Sequence, residues 1–382
     1  LSSRGLGDVY KRQEKKVKLT SLKTVLEINL QSLEYNFNKI KSLVKPTTKT
    51  MAVVKANGYG SDIIAVAKRL NKLGVDYFSV AYASEGVKLR NAGIKTPILV
   101  LIPQTGSFDE ITSFNLEPSI YSFHFLSKFI AYAHEKNILD YPIHFKINSG
   151  LNRIGFKESD IEKAFQLVSN SDRLFIKSIY SHLSASEDLN EKEFTLHQIK
   201  SFEKAIKNIL PKLNHKPILH MSNTSGIINY PESEFDMIRC GIGLYGFSNN
   251  LSISLKPVHK LLSTISLIID VSKGESVGYN RAYVAKEDTR VGIIPLGHAD
   301  GISRSFNKGG YVIINEIKCD IIGNVCMDVI MVNLNKADAV EGDQVVIFDE
   351  KNTAEDFAAS VGTISYEVLT NLSSRIERKI IG

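Results

Sequence analysis

The sequence has no tryptophan and only three cysteines, Cys240, Cys319 and Cys326, in 382 residues. Without a C-x-x-C spacing these read as free thiols of a reducing compartment rather than a disulfide framework or zinc site. Long apolar runs are missing as well. No stretch reaches the ~18 apolar residues of a membrane span, and no apolar signal segment opens the chain. The nine histidines form no H-E-x-x-H motif. These absences argue against a membrane protein, an exported disulfide scaffold and a metalloenzyme. The expected location is the cytoplasm.

A large charge imbalance is also lacking. The net charge is +6, but residues 1–23 hold seven Lys/Arg against Asp8 and Glu14, so the rest of the chain is nearly neutral. The main body therefore shows no basic signature of nucleic-acid binding. The first thirteen residues, LSSRGLGDVYKRQ, have no initiator Met and no apolar periodicity; they resemble translated adaptor sequence. Residues 1–23 are expected to be a non-native or disordered tail, and a preceding segment is open.

What is present is ordinary for a globular chain: 43% hydrophobic and 23% charged residues, with 25 Gly and 10 Pro. Residues 25–30 alternate like a strand. Leu33, Phe37, Ile40 and Val44 then recur at helical spacing until Pro46. Eight short apolar runs follow, at 51–54, 77–81, 98–102, 119–121, 143–147, 176–180, 218–221 and 237–239, with amphipathic segments between them. Buried strands alternating with helices predict parallel βα units, and eight of them predict a closed (β/α)8 barrel over residues 24–257. From Ser263 onward, strand-like runs broken by Gly, Asn and Asp predict a mostly antiparallel β domain over 258–382. Helical segments are expected at 354–360 and 366–379.

The chemistry concentrates at a few places. In MAVVKANGYGSD, residues 51–62, Lys55 directly follows an apolar strand. At the C-terminal end of a barrel strand its ammonium is partly desolvated, which lowers its pKa and makes it a usable nucleophile or base. Gly58, Tyr59 and Gly60 follow as a tight turn bearing a hydroxyl. Taken alone, a V-V-K sequence reads more simply as a lysine snorkelling at a strand end. Gly241, Gly243 and Gly246 satisfy G-x-G-x-x-G, but they lie at the end of the alternating region and FSNNLS follows them, so a dinucleotide site is rejected.

AVVKANGYGSD resembles the pyridoxal-phosphate lysine motif of bacterial alanine racemases, and further segments match that family in order from about Val25 to the C-terminus. The resemblance implies a (β/α)8 barrel plus a β domain, with the first strand returning to the second domain. It implies interconversion of L- and D-alanine, supplying peptidoglycan synthesis, by a homodimer with shared active sites. Pyridoxal 5'-phosphate would be the cofactor, carried covalently by Lys55, and a small amino acid the substrate.

In PIHFKINSGLNRIGF, Arg153 would hold the substrate carboxylate, and Lys146 matches a position often carbamylated to orient that arginine. His182, in YSHLS, matches a histidine near the cofactor ring. Asn223 and Thr224, in HMSNTSG, match the place where a hydroxyl binds the cofactor phosphate. In MIRCGIGLYGF, Arg239 would face the ring nitrogen, and Gly241 and Ile242 would offer backbone N–H groups to the phosphate. A guanidinium there leaves the ring nitrogen unprotonated, which disfavours transamination.

Tyr279, in SVGYNRAY, matches the second catalytic base. The resemblance has it supplied by the other subunit. In NVCMDV, the Met327 backbone would contact the substrate carboxylate, and Asp328 would support it. Tyr366 would approach the phosphate and narrow the access path. Two positions depart from the family: His298 stands where Tyr is common, near the entrance, and Ser61 where His is common. Rival readings are a racemase of broader specificity, a decarboxylase of the same fold, disfavoured by Arg239, and a non-catalytic pyridoxal-phosphate carrier, disfavoured by the second domain.

Overall fold

The computed structural model describes residues 23–248 and 253–382. Most of the expected tail lies outside the described residues, as does the short stretch 249–252. Eight parallel strands close a barrel: β2 (Lys49–Val53), β3 (Tyr77–Val80), β4 (Ile98–Val100), β5 (Glu117–Ile120), β6 (Tyr141–Lys146), β7 (Leu174–Tyr180), β8 (Ile218–His220) and β9 (Met237–Cys240). Closure comes from β2 pairing with β9, which sets Met51 opposite Arg239. Their nearly continuous apolar character follows from burial on both faces, by the barrel interior and by the outer helices. Side-chain caps start several of the helices. Asp62 Oδ1 accepts from the backbone of Ile64 and Ala65, both at 2.9 Å, and opens helix Ile63–Lys72.

The first strand, β1 (Val25–Asn29), belongs to a different sheet. That sheet has nine strands. Besides β1 it contains β10 (His259–Thr264), β11 (Leu267–Val271), β14 (Thr289–Ile294), β15 (Tyr311–Ile314), β16 (Ile317–Ile322), β17 (Ile330–Asn333), β18 (Gln344–Phe348) and β19 (Glu377–Ile381). All its pairings are antiparallel except β1 with β19. A separate ribbon, β12 (Ser276–Val277) with β13 (Tyr283–Val284), projects from this domain.

One expectation is corrected here. The predicted C-terminal helix over 366–379 ends early: Ser365–Thr370 is helical, and Glu377–Ile381 is a strand. Its apolar positions fit either period over so short a run. The partner β1, more than three hundred residues away, supplies the parallel hydrogen bonds that decide it. Among the described residues no helix is long and apolar enough to cross a membrane, and no cluster of three or more His, Cys, Asp or Glu is placed to hold a metal ion.

Candidate active site

The C-terminal ends of the barrel strands gather one group of functional side chains. Lys55 stands two residues beyond β2 and opens a turn in which Ala56, Asn57, Gly58, Tyr59 and Gly60 all have positive φ, from 53° to 78°. Five successive residues in that region are costly for all but glycine, and such strain persists only where surroundings impose it. Gly60 is required outright, because a Cβ there would lie 1.9 Å from the Leu369 carbonyl. Glu85 braces the turn. Its Oε1 accepts from Ala56 N (2.7 Å), and Oε2 accepts from Ala81 N (2.8 Å) and Tyr82 N (3.3 Å). Sequence reasoning missed Glu85; the available signal was its place in the first turn of helix Ala83–Asn91, where a carboxylate reaches back to free backbone N–H groups.

Burial and the nearby Arg153 guanidinium lower the Lys55 pKa, and Glu85 opposes them. Arg153 is exposed and makes no hydrogen bond or ion pair among the described residues. A guanidinium without a carboxylate partner is free to bind an anion. Lys146, the last residue of β6, is 4% exposed, and its Nζ lies 4.1 Å from the Tyr180 ring centroid. Burial, then Arg239 and Arg153, push its pKa well below the ordinary lysine value, because each disfavours a second buried cation.

Arg239 is held by four neutral acceptors. Nη1 donates to His220 Nδ1 (2.8 Å); Nη2 reaches Ser181 O (2.8 Å), Met221 O (2.8 Å) and His182 Nδ1 (2.9 Å). Burial lowers the guanidinium to about 10, which leaves it charged at neutral pH. Its Nε–H has no acceptor among the described residues. The same burial and cations hold His182 and His220 well below the usual histidine value, so both are neutral. Since Nδ1 accepts in each, Nε2 carries the proton. His220 is a second residue that sequence reasoning passed over; a histidine inside an apolar strand was the signal.

Thr224 and the glycines after β9 form a cradle. The N–H groups of Gly241 (3.3 Å) and Gly243 (3.2 Å) converge on Thr224 Oγ1. Ile242 N–H has no acceptor among the described residues. A Cβ on Gly241 would come within 2.6 Å of Tyr59 Oη, so that glycine lets the phenol close in. Burial raises the Tyr59 pKa and keeps it a donor. Hydroxyls and inward N–H groups clustered this way suit a phosphate. Asn223 is used differently: its Oδ1 caps helix Thr224–Asn229 through Gly226 N (2.9 Å) and accepts from Ser186 Oγ (2.8 Å). Tyr366 lies beside Tyr59, ring centroids 6.0 Å apart.

The remaining expected residues form a second group on the β domain. Tyr279 sits at the tip of the β12–β13 ribbon, 72% exposed, after Gly278 at φ 75°. Asn324 Nδ2 donates to its carbonyl (2.9 Å). The His298 and Ala299 N–H groups donate to the carbonyls of Cys326 (2.9 Å) and Met327 (3.0 Å), which joins the two loops. Gly297 permits that approach, because a Cβ there would be 2.3 Å from Met327 O. Asp328 pairs with Arg375 at 2.9 Å. His298 is exposed and Met327 is 58% exposed. Among the described residues no hydrogen bond, ion pair or ring contact joins Tyr279 to Lys55, Arg153 or Arg239.

Fold and site together define a class: a barrel enzyme with a desolvated amine and an anion cradle at its mouth, followed by a β domain that exposes a phenol. Residues 28–249 match the family described as alanine racemase, N-terminal domain, and residues 258–380 match alanine racemase, C-terminal domain. An alanine racemase of Thermodesulfovibrio yellowstonii is 37% identical over 363 residues, 93% of this chain and 97% of its own length. The solved alanine racemase of Clostridium difficile 630 superposes with a TM-score of 0.86 at 32% identity, covering 94% of this chain and 95% of that one. That of Bacillus anthracis with bound L-Ala-P gives 0.87 at 26% identity, covering 94% and 95%. The chain belongs to the alanine racemase family, a family of isomerases.

Proposed function

We propose that this chain interconverts L- and D-alanine with pyridoxal 5'-phosphate, as a homodimer whose two active sites each draw on both subunits. The carrying observation is the barrel mouth itself, where Lys55 with a lowered pKa faces the unpaired Arg153 and Arg239 is held with its Nε–H free. Thr224, Tyr59 and the N–H groups of Gly241 and Ile242 would hold the phosphate, Arg239 the ring nitrogen, and Lys55 the aldehyde carbon. When bound, the cofactor supplies an electron sink that acidifies the substrate's α-proton.

The chain's own residues supply the rest. Arg153 binds the substrate carboxylate through a planar fork that fixes which face of the α-carbon meets Lys55. Lys55 Nζ, whose pKa burial lowers, removes or returns the proton on that face. Tyr279 of the partner subunit serves the opposite face. A phenol with an ordinary pKa of ~10 needs cationic neighbours to act there, and the Arg239–His182 pair offers the charge. Met327 and its loop complete the carboxylate side. Lys146, whose ammonium form is disfavoured by burial and two guanidinium groups, would release a proton on adding carbon dioxide, and the carbamate anion would orient Arg153. The three free thiols fit a cytoplasmic setting, in which the D-alanine would serve peptidoglycan synthesis.

The test is D/L interconversion across a panel of amino acids with pyridoxal 5'-phosphate added. Alanine should turn over fastest. Faster turnover of basic side chains would favour a broader racemase, and no turnover of any amino acid would end the reading.

A further inference from the structure

Barrel interiors are normally filled by layers of branched apolar side chains. In this barrel a file of polar side chains crosses the interior, one from each of five successive strands: Glu117 on β5, His144 on β6, Ser178 on β7, His220 on β8 and Arg239 on β9. The strand register sets His144 beside Ser178. Glu117 Oε2 lies 2.7 Å from His144 Nε2, and His144 Nδ1 bonds Ser178 Oγ. Ser178 Oγ lies 2.9 Å from His220 Nε2, and Arg239 Nη1 lies 2.8 Å from His220 Nδ1. His144, Ser178 and His220 are fully buried. Any unmatched donor or acceptor among them would be left desolvated without a partner.

The two ends of the file have fixed roles. A guanidinium only donates, so His220 Nδ1 must accept. His220 is neutral, so its single proton sits on Nε2 and goes to Ser178 Oγ. Ser178 passes its own proton to His144 Nδ1, and His144 Nε2–H donates to Glu117, whose carboxylate only accepts. With one proton on each imidazole, the chain is consistent in this direction alone. None of the four acceptors of Arg239 is a carboxylate, so the file is its hydrogen-bonded route to an anion.

We propose that Glu117, His144 and Ser178 are positioning residues that lock His220 in the tautomer able to accept from Arg239, and so hold that guanidinium in place from the far end of the barrel. The inference rests on Arg239 facing the cofactor's ring nitrogen. A file that merely satisfied its own polar groups would support the barrel without governing the tautomer.

The experiment is histidine-selective 15N NMR of the full chain purified with its cofactor, alongside steady-state racemisation. His220 and His144 should each show a protonated Nε2 and an unprotonated Nδ1. Glu117→Leu, which removes the terminal acceptor, should shift the His220 resonances and lower kcat roughly tenfold with KM within about threefold. Glu117→Gln keeps an acceptor oxygen and should restore both. Ser119→Ala is the control: Ser119 lies on the same strand, and its buried bond runs to Tyr180 Oη (2.7 Å), off the file. Because Tyr180 stacks on His220, small ring-current shifts are expected, but the His220 tautomer should not change. A wild-type His220 protonated on Nδ1, a doubly protonated His144, or a Glu117→Leu response no larger than that of Ser119→Ala would overturn the proposal. Should Glu117→Leu not fold, the wild-type resonances decide. If the tautomers respond as expected while no amino acid is racemised, the file stands and the assigned reaction falls.

Discussion

The barrel mouth and the exposed face of the β domain are built on opposite plans. At the mouth, burial dominates: Lys146 and Arg239 are each 4% exposed, Arg239 is hydrogen-bonded in place, and burial depresses the pKa of Lys55, Lys146, His182 and His220. On the β domain, Tyr279 and Met327 stand in the open, carried by a ribbon and two joined loops, with no side-chain hydrogen bond among the described residues. The first region is preorganised for chemistry within one chain. The second presents its phenol to solvent, and under the shared-site proposal a second copy of this chain would meet it.

The comparison breaks most sharply at the lysine. Lys55→Ala should lower racemisation by roughly 10³-fold or more, and borohydride reduction of the loaded wild type should leave cofactor on the Lys55 peptide. Label on another lysine would move the reacting amine away from the mouth. Next is the phenol. Tyr279→Phe should cost about 10²–10⁴-fold, unequally for α-proton exchange from the two enantiomers. Mixing Lys55→Ala with Tyr279→Phe subunits should return part of the activity, because one site of the mixed dimer keeps both groups. Proven heterodimers with no rescue would place both groups in one chain.

A third, smaller effect concerns the bracing of the exposed face. Gly297→Ala sets a methyl against the Met327 carbonyl and should destabilise by ~1–3 kcal/mol, seen as a lower Tm. An unchanged Tm would show that the two loops are free to separate.

The smallest effect lies at the seam between the regions. His259 on β10 bonds Ser61 of the barrel turn, while burial and Arg378 lower its pKa to about 3. The folded state therefore keeps His259 neutral while the unfolded chain takes up a proton below pH ~6.5. Its contribution to stability is intact above that pH and falls by up to ~1.4 kcal/mol per unit down towards the folded pKa. His259→Gln should flatten the decline of Tm between pH 7 and pH 5. An identical decline in both proteins would assign acid sensitivity to other groups.

The barrel strands were legible because each contains a short, largely apolar run set between helical periods, and the pattern is local. The C-terminal helix over 366–379 was misread because its last residues take their conformation from β1. At the site, Lys55 and Arg153 announced themselves through motif and strand position. Glu85 did not, since its function is to accept from three backbone N–H groups in two segments that only the fold brings together. Asn223 was expected at the phosphate, yet its side chain caps a helix, a competing use of the same residue type.

What the sequence determined by itself was the order of elements, the family and the residues able to do acid–base and anion-binding work, because these depend on residue type and short-range spacing. Only the tertiary structure decided which of those residues share a mouth, which imidazole nitrogen carries a proton, and that Tyr279 stands apart from Lys55. Desolvation, hydrogen-bond direction and exposure come from contacts between strands distant in the chain, and no local pattern contains them.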